Sequence, residues 1–284
     1  MNTADDSKNY IFYASTDNVK YISNILKAVQ FKESANFHAT DQGIKITVED
    51  SHCLQANSYL QKEIFNDYSY KEDIKFKINL NIFIDCLQIF SNNVTYSPTA
   101  LNQSFSNKVH LKVYYKEHGH PLILLLEENG VTTDCSIKTQ EYEDVMEYDF
   151  LNIDIVNKII FKSEALKEIF NEIDNSCDVL EILISPTIPN FRIATYGDLG
   201  SIYIDFPKDS SCIEYFSCKE RQNSRFKHSL LKPALKAINY SSKISLRMDK
   251  KGCLSWQYMI KHDENIISFI EFYCLPLDEY DELI

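Results

Sequence analysis

Apolar and polar side chains alternate along many short stretches of the chain, a period of two that is typical of strands with one buried face. Ile44-Lys45-Ile46-Thr47-Val48 is one such stretch, and the polar connection Glu49-Asp50-Ser51-His52 follows it. Turns at His118-Gly119 and Asn129-Gly130 separate three more strands between 109 and 138. The pattern predicts strands over 10–14, 44–48, 54–60, 74–78, 109–115, 121–126, 131–138, 158–161, 179–184, 191–195, 201–206, 244–248, 253–260 and 266–273.

Apolar residues recur at steps of three and four in four other segments, which predicts amphipathic helices. These helices cover 18–30, 79–90, 164–173 and 231–240. Asp17 and Ser163 are the predicted N-caps of the first and third helices. Pro233 is assigned to the first helical position of the fourth, because proline is tolerated where no helical N–H is needed.

Two joints between a strand and a helix occur twice in the chain. Lys75-Phe76-Lys77-Ile78-Asn79-Leu80 corresponds to Arg225-Phe226-Lys227-His228-Ser229-Leu230, at an offset of 150 residues (225 minus 75). Tyr10-Ile11-Phe12-Tyr13-Ala14-Ser15 corresponds to Lys158-Ile159-Ile160-Phe161-Lys162-Ser163, at an offset of 148 (158 minus 10). Nearly equal offsets predict a duplicated domain.

The residues between the two copies are acidic, since 140–156 contains several Asp and Glu residues and no Lys or Arg. Such a stretch is typical of a connector between domains. The sequence therefore predicts an N-terminal domain at 1–139, a connector at 140–156 and a C-terminal domain at 157–284, with an acidic tail at 278–282.

Composition favours a folded, soluble protein, with 44% apolar and 25% charged residues in 284. The net charge of -12 argues against coating the whole surface with nucleic acid, although it leaves room for a local basic face. No apolar run is long enough to span a membrane, and 1–10 is unlike a secretory signal, so an intracellular protein is expected.

Motifs for cofactors and metals are absent from the sequence. The eight cysteines form no Cys-x-x-Cys pair and are interpreted as reduced packing thiols. With six glycines, neither phosphate-binding glycine motif can be drawn. Neither a cofactor nor a metal is expected. His118-Gly119-His120 is interpreted as a solvated turn, with a metal site as the alternative.

The order of the elements, together with several local runs, resembles the sliding DNA clamps. The likeness to the family of the proliferating cell nuclear antigen rests on three runs: Gly43-Ile44-Lys45-Ile46 leading to Asp50-Ser51-His52, Val131-Thr132-Thr133-Asp134, and Phe272-Tyr273-Cys274-Leu275-Pro276. That likeness covers most of the chain. A closer resemblance is to the Rad-one family of checkpoint clamp subunits, in runs spread over both halves. It is carried by the runs at 120–131, 190–197, 205–210 and 229–237.

This resemblance implies an α+β DNA-clamp fold, in which each of two similar domains has antiparallel sheets outside and two helices on the inner face. It also implies a subunit of the heterotrimeric nine-one-one ring, with Rad-nine-like and Hus-one-like partners and a checkpoint clamp loader. Such a ring encircles double-stranded DNA in the nucleus without sequence specificity, and it serves checkpoint and repair proteins as a docking platform.

Under the resemblance, the helices face DNA and their polar stripes meet phosphates. The basic members are all lysines, flexible point charges that can pass from one phosphate to the next, unlike a bidentate arginine. A solvated helical face is the alternative interpretation of each lysine. The implied DNA-facing residues are Lys20, Asn24, Lys27, Lys162, Lys167, Lys232, Lys236 and Asn239. The second helix departs from this pattern, because its stripe of Asn81, Asp85 and Gln88 has no basic residue.

Ring closure in the family uses sheet edges, and the resemblance places one edge at 131–138 and the other at 179–185. Two strands inside closed sheets are the alternative. The edge residues are Val131, Thr133, Cys135, Ile137, Leu180, Ile182 and Ile184. Because each edge meets a different partner in a heteromeric ring, the subunit is not expected to close on itself.

The family also has a hydrophobic groove for client peptides beneath the connector and tail. Its implied lining is His52, Cys53, Val145, Met146, Tyr273 and Pro276. Packing of the connector on its own sheet is the alternative.

Two other functions are alternatives to the heterotrimeric clamp. Glu49, Asp50 and His52 can be drawn as the cluster of a metal-dependent DNA exonuclease. A homotrimeric replication clamp would have the same fold and assemble from copies of itself.

Overall fold

The structure is a computed structural model that describes residues 10–90, 108–148, 150, 155–172, 177–197, 200–262 and 266–277. The chain forms two compact units. The first comprises the residues up to Val48 together with Ser58–Asp144, and the second comprises Glu49–Asn57 together with the residues from Val145 onward. The main division, between Asp144 and Val145, lies within the predicted connector.

The first half of the chain contains nine β-strands and two α-helices among its described residues. In chain order they are β1 (Phe12–Thr16), α1 (Val19–Ala28), β2 (Ser34–Thr40), β3 (Gly43–Asp50), β4 (Leu54–Gln61), β5 (Asp67–Tyr70), β6 (Ile74–Asn79), α2 (Leu80–Leu87), β7 (His110–Tyr115), β8 (Leu122–Glu128) and β9 (Val131–Ile137). One sheet has the order β5-β1-β7-β8-β9, and hydrogen-bonded strands also run in the order β4-β3-β2-β6.

Aromatic packing forms the centre of the first unit. The rings of Phe37 and Phe76, on the paired strands β2 and β6, stack with their centroids 4.7 Å apart. Tyr115 of β7 lies 4.6 Å from Phe76, and Phe12 of β1 meets Phe37 edge-on. These four side chains are almost completely buried, so each strand contributes its apolar face to one core.

The second half also contains nine β-strands and two α-helices among its described residues. They are β10 (Ile155–Lys162), α3 (Ser163–Glu172), β11 (Val179–Ile184), β12 (Phe191–Gly197), β13 (Gly200–Phe206), β14 (Ile213–Cys218), β15 (Gln222–Lys227), α4 (His228–Ala237), β16 (Lys243–Asp249), β17 (Leu254–Lys261) and β18 (Ile267–Cys274). Strands run in the order β14-β10-β16-β17-β18, and a separate four-stranded sheet has the order β13-β12-β11-β15.

Both repeated joints are confirmed. β6 leads directly into α2 and β15 leads directly into α4, while β1 precedes α1 and β10 leads into α3. Phe76 and Phe226, which lie at equivalent positions of the repeat, are both buried. The α+β class is therefore confirmed, with antiparallel strand pairing throughout the described register and two helices in each half.

Three local predictions are wrong. Asp17 does not cap α1, since Asn18 occupies that position and the Asp17 carboxylate binds His110 at 2.8 Å. Pro233 lies inside α4 because the helix begins at His228, five residues before the proline. The strands β2, β5 and β14 were not predicted, because small or polar residues weaken their apolar alternation.

Candidate functional site

The polar stripe of α1 lies opposite a buried face that is apolar except for Ser23. Lys20 is exposed and Asn24 and Lys27 are half-buried, whereas Ile22 and Leu26 are buried. Beyond the helix, the Gln30 side chain donates to the Asn81 side chain of α2 at 2.8 Å, which fixes the end of one helix against the start of the other. The predicted basic stripe is therefore accessible in the first unit.

The stripe of α4 is more exposed than that of α1. Lys232, Lys236 and Asn239 are all exposed, and no acidic residue accompanies them in the first turn. The helix is held from beneath by Tyr258, whose buried hydroxyl donates to the carbonyl of Ala234 at 2.7 Å. This anchor fixes the outward direction of the lysines.

At the start of α4, the imidazole of His228 contacts the carbonyl of Cys177 at 3.1 Å. Burial lowers the pKa of His228, so the ring is neutral at physiological pH. His228 therefore adds no charge to the basic stripe.

The other two helices carry less positive charge. Lys162 and Lys167 of the α3 region are exposed, but Glu164 and Glu168 are exposed beside them. The surface of α2 has no basic residue, and its exposed side chains include Asp85 and Ile82, the latter at 48%. Ile89, just beyond the helix, is 41% exposed. The α2 surface is therefore the least basic of the four, and acidic neighbours dilute the positive charge of α3.

None of the six predicted lysines forms an ion pair with a residue that the structure describes. Their ammonium groups are thus available to an external anion. On charge alone, α1 and α4 are the helices best suited to phosphate contacts, because their lysines have no acidic neighbour on the same face.

The predicted edge at 131–138 is an outer strand. β9 pairs only with β8 within its sheet, and Val131 is 59% exposed. Along the strand Thr133 and Cys135 are half-buried and Ile137 is buried, while the residues between them face outward. One face of β9 thus packs inward and its free side remains accessible.

The predicted edge at 179–185 is wrong. β11 pairs on one side with β12 and on the other with β15, so it has no free side. Leu180, Ile182 and Ile184 are fully buried and belong to the core of the second unit. Apolar residues occupy five of the six positions of β11, which is typical of an interior strand, although the resemblance placed an edge there.

The accessible outer strand of that sheet is β13. It pairs only with β12, and Ile202 and Tyr203 are 44% and 55% exposed. The outer strand at the other side, β15, is covered, since the Leu277 N–H donates to the carbonyl of Arg225 at 2.8 Å. Edge position depends on pairing with strands remote in sequence, so no local pattern identifies β13.

A ladder of aromatic and guanidinium groups lies beside β13. Arg192 makes a bidentate contact with Asp205 and lies 5.4 Å from the centre of the Tyr203 ring. Tyr203 meets Tyr196 edge-on, and Arg225 lies 5.6 Å from the Tyr196 ring. Tyrosine and arginine in such an exposed, ordered cluster are typical of protein interfaces.

The predicted client-groove residues all lie in the second unit, and the structure connects most of them. Tyr273 stacks on Tyr148 of the connector at 4.9 Å and contacts Phe150 at 5.2 Å. Phe150, Tyr273 and Cys253 form one buried cluster, with Leu275 packed against it. Burial raises the pKa of Tyr148 and Cys274 well above their ordinary values, as expected at an apolar floor.

Polar contacts fix the rim of this groove. The Tyr148 hydroxyl donates to the carbonyl of His52 at 3.3 Å, and the Leu275 N–H donates to the carbonyl of Cys53 at 3.0 Å. Val145 and Pro276 are half-buried and Met146 is 44% exposed, so an apolar lining stays accessible above the buried cluster. Sequence reasoning missed Tyr148 and Phe150, although their aromatic character within an acidic stretch was a usable signal.

The proposed nuclease cluster is occupied by structural contacts. Glu49 contacts the His52 imidazole at 2.6 Å and accepts from the Met146 N–H at 3.2 Å, while Asp50 accepts from Ser51. Within the described residues no group of three His, Cys, Asp or Glu side chains is arranged to hold a metal ion.

The two histidines of the predicted solvated turn contact different carboxylates. His118 lies 3.1 Å from Glu72, and His120 lies 2.8 Å from Glu117.

No helix in the part of the chain that the structure describes is long and apolar enough to cross a membrane.

The chain is similar in sequence to a family of known proteins. The family model described as "Repair protein Rad1/Rec1/Rad17" matches residues 11–260. The chain is 44% identical over 279 residues to "Cell cycle checkpoint protein RAD1" of Mus musculus, which covers 98% of this chain and 96% of the mouse protein.

More distant relatives carry related names. "DNA damage checkpoint control protein rad1" of Schizosaccharomyces pombe is 30% identical, with 96% of this chain and 88% of that protein covered. "DNA repair exonuclease REC1" of Mycosarcoma maydis is 27% identical, with 62% of this chain and 49% of that protein covered.

Proposed function

Because the chain belongs to the Rad1/Rec1/Rad17 family of repair proteins, we propose that it is one subunit of a heterotrimeric, ring-shaped DNA sliding clamp. The expected α+β clamp fold is confirmed, and the names of its relatives support a role in DNA damage checkpoint and repair. The partners are a Rad-nine-like and a Hus-one-like subunit, and the site of action is the nucleus.

The observation that carries the proposal is an accessible outer strand in each unit, β9 in the first and β13 in the second. The other outer strands are less suited to pairing. β5 has four residues, and β14 pairs with β10 across an irregular register. The outer sides of β6 and β15 are met by Gln140 and Leu277, respectively. Two joints are what a ring subunit needs, and their different side chains favour two different neighbours.

Charge supports passage of DNA without sequence reading. The lysines of α1 and α4 suit sliding contacts with phosphates, while the -12 net charge keeps DNA off the remaining surface. The checkpoint clamp loader opens the ring and closes it around duplex DNA. The groove beneath the connector then receives apolar peptide segments of checkpoint and repair proteins, over a floor made by Tyr148 and Tyr273.

The test of ring membership is co-expression with the two candidate partner subunits, followed by mass determination. The wild-type chain is expected in a complex containing one copy of each subunit. Val131→Glu on β9 and Ile202→Glu on β13 are each expected to remove one partner, because a carboxylate at a paired edge must be desolvated. Ile188→Glu is the matched control, an apolar residue that is 85% exposed and outside the strands.

Two results would contradict the proposal. One is a homotrimer formed by the isolated chain in light scattering, which would support the homotrimeric replication clamp. The other is a complex whose mass is unchanged by both edge substitutions.

A DNA exonuclease is a second candidate, because the word exonuclease stands in the name of a distant relative. The exonuclease site drawn from the sequence, at Glu49, Asp50 and His52, is metal-dependent. We propose that this chain is not catalytic, since Glu49 is committed to His52 and the Met146 N–H. Incubation with an end-labelled duplex and magnesium or manganese is expected to leave the DNA intact. Cleavage that disappears in Asp50→Ala would overturn the non-catalytic proposal.

A further inference from the structure

A row of three basic side chains crosses strands β3, β2 and β6 of the first unit. His38 of β2 lies directly opposite Lys45 of β3 on one side and Lys75 of β6 on the other. Lys75 is exposed, and His38 and Lys45 are half-buried. Their neighbours along the strands, such as Phe37 and Phe76, are buried in the core, so the three side chains share the solvent side. We call Lys45, His38 and Lys75 the basic row.

Both lysines act on the histidine between them. Adjacent strands lie about 4.8 Å apart, so the two lysine backbones are separated by roughly 10 Å. Burial is the main reason that the pKa of His38 is lowered, and the charges of Lys75 and Lys45 lower it further, while Asp73 opposes them. The imidazole is therefore neutral at physiological pH, and the positive charge of the row comes from its two lysines.

Each ammonium group lies over an aromatic ring on the side away from His38. The Nζ atom of Lys45 lies 5.9 Å from the centre of the Tyr59 ring, which belongs to β4 beyond β3. The Nζ atom of Lys75 lies 5.6 Å from the Tyr142 ring of the connector, which runs beside β6. Cation–π contacts at accessible sites are weak, so both ammonium groups are able to turn toward an anion placed between them.

Polar groups of the basic row lack partners among the described residues. Nε2 of His38 is buried and accepts or donates no hydrogen bond there, and Lys75 forms no ion pair there. A buried polar nitrogen normally has a partner, which is often a water molecule or an ion. An anion held between the two ammonium groups would provide one.

The next row along the same strands shows the contrast. Lys77 of β6 contacts the Glu143 carboxylate of the connector. Asn36 of β2, opposite Lys77, donates to the carbonyl of Glu143 at 2.6 Å. The connector therefore satisfies the row at Lys77 and leaves the basic row to an external partner.

We propose that the basic row binds the phosphate group of a phosphorylated serine or threonine in a segment of a partner protein. A phosphate monoester carries nearly two negative charges at neutral pH and three acceptor oxygens, which match two ammonium groups and one imidazole N–H. Lysine binds phosphate as a point charge on a flexible stem, so the two lysines need no fixed fork geometry. This inference concerns the isolated chain and does not depend on ring assembly.

The surroundings of the row favour a single phosphate over a strand of nucleic acid. A phosphodiester carries one charge, and nucleic acid is held by a longer basic track. Beside the basic row, Lys77 is already engaged by Glu143, and Glu141 and Asp144 of the connector are exposed. These carboxylates repel a continuous row of phosphates.

The test uses nuclear magnetic resonance of the isolated full-length chain with isotope-labelled histidine rings. The probe is a capped peptide of alanines with one central phosphoserine. It is expected to shift the ring signals of His38 in a saturable way and to raise the pKa of His38, because the phosphate charge favours the imidazolium form. The same peptide with unmodified serine should leave these signals in place. His38→Gln identifies them among the seven histidines.

Variants of the lysines show whether the row itself binds the phosphate. Lys45→Gln and Lys75→Gln should each weaken peptide binding by about tenfold, the loss expected for one hydrogen bond between charged groups. The double variant should abolish the shift. Lys158→Gln is the matched control, since Lys158 also lies over a tyrosine ring, that of Tyr215 at 6.0 Å, but outside the basic row. It should bind the peptide like the wild-type chain.

Thermal unfolding shows whether each variant folds like the wild-type chain, and the wild-type titrations decide the matter where one does not. The proposal is overturned if the phosphoserine peptide leaves the His38 signals unchanged, if the serine peptide shifts them equally, or if the folded double variant binds with unchanged affinity. An oligothymidylate that shifts them at lower concentration than the peptide would also overturn it, in favour of nucleic acid. Each failure leaves the ring proposal unaffected, because no partner subunit is present.

Discussion

Gly43 begins β3 with a backbone φ of 133°, a conformation that L-residues with a side chain rarely adopt. A Cβ atom at this position would lie 2.2 Å from the carbonyl oxygen of Leu60. Gly43→Ala is therefore expected to reduce the free energy of unfolding by roughly 3 kcal/mol or more, from backbone strain and a clash with main chain. Urea denaturation followed by circular dichroism measures this loss.

Gly119 provides the control for Gly43. Its φ of 79° is also positive, but an added Cβ would meet no atom within 4 Å. Gly119→Ala should cost only about 1–2 kcal/mol, the backbone term alone. Equal losses of unfolding free energy in the two variants would show that the clash with Leu60 does not add to the cost of substituting Gly43.

A buried ion pair supports the groove from beneath. Arg247 and Glu271 are each 9% exposed, both contact Ser255, and the Arg247 guanidinium lies 5.5 Å from the Phe150 ring. Arg247→Met would leave the Glu271 carboxylate buried without its partner, at a cost of about 3–5 kcal/mol in unfolding free energy. The double variant Arg247→Met, Glu271→Leu should recover most of that loss in thermal or urea unfolding.

Recovery in the double variant is the decisive result, because it separates an uncompensated charge from lost packing on Phe150. If the double variant is as unstable as Arg247→Met, the arginine acts through its packing on the ring instead.

Individual side-chain roles were predictable where they depend on local period and less so elsewhere. The exposure of Lys20, Lys232 and Lys236 follows from the spacing of apolar residues on their helices. The role of Asp17 does not, because its partner His110 is 93 residues away. That hydrogen bond, more than any other contact, holds the pKa of Asp17 below its ordinary value.

The four helices differ in the charge that they present, and this difference can be measured. Lys232→Gln with Lys236→Gln on α4 should make the affinity of the reconstituted ring for DNA less dependent on salt. Each lost phosphate contact lowers the log–log slope by about 0.9. Binding titrations at several salt concentrations give this slope.

The matched variant carries Lys162→Gln with Lys167→Gln, which removes the same charge from a surface that also contains Glu164 and Glu168. Its salt slope should change less than that of the α4 variant. An equal or larger change would indicate that α3 makes the principal phosphate contacts.

Elements were predictable to the extent that their periodicity is strong. The joints from β6 to α2 and from β15 to α4 lie where the repeat places them. β2 was missed because its buried positions include the small residues Ala35 and Ala39, which give a weak apolar signal. The pairing partners of β11 and β13 follow from the fold as a whole, so no local pattern could correct the edge that the resemblance placed on β11.

At the scale of the whole molecule, the repeated joints can be recognised in the sequence. The exact division of the chain into two compact units cannot. Glu49–Asn57 belongs to the second unit, although it lies in the first half of the chain. Its Cys53 carbonyl accepts from the Leu275 N–H. Nothing in the composition of this short stretch indicates the change of unit.

Cleavage of the connector tests this division. A protease site inserted between Asp144 and Val145 should allow a cut that gives two fragments in denaturing electrophoresis. Under native conditions the fragments are expected to elute together, because 49–57 remains packed in the second unit. Separate elution of the two fragments without denaturant would contradict the assignment of 49–57. The uncut protein with the same insertion is the control.

The excursion of 49–57 has a consequence for chimeric clamps. A chimera of two paralogues can be made by a single crossover in the connector. Its residues 49–57 would then come from one parent, and the rest of its second unit from the other. A design that transplants both pieces together preserves the contact between Cys53 and Leu275. The second unit is therefore discontinuous in sequence. Exchanging it as a whole between two proteins needs three crossovers, after Val48, after Asn57 and after Asp144.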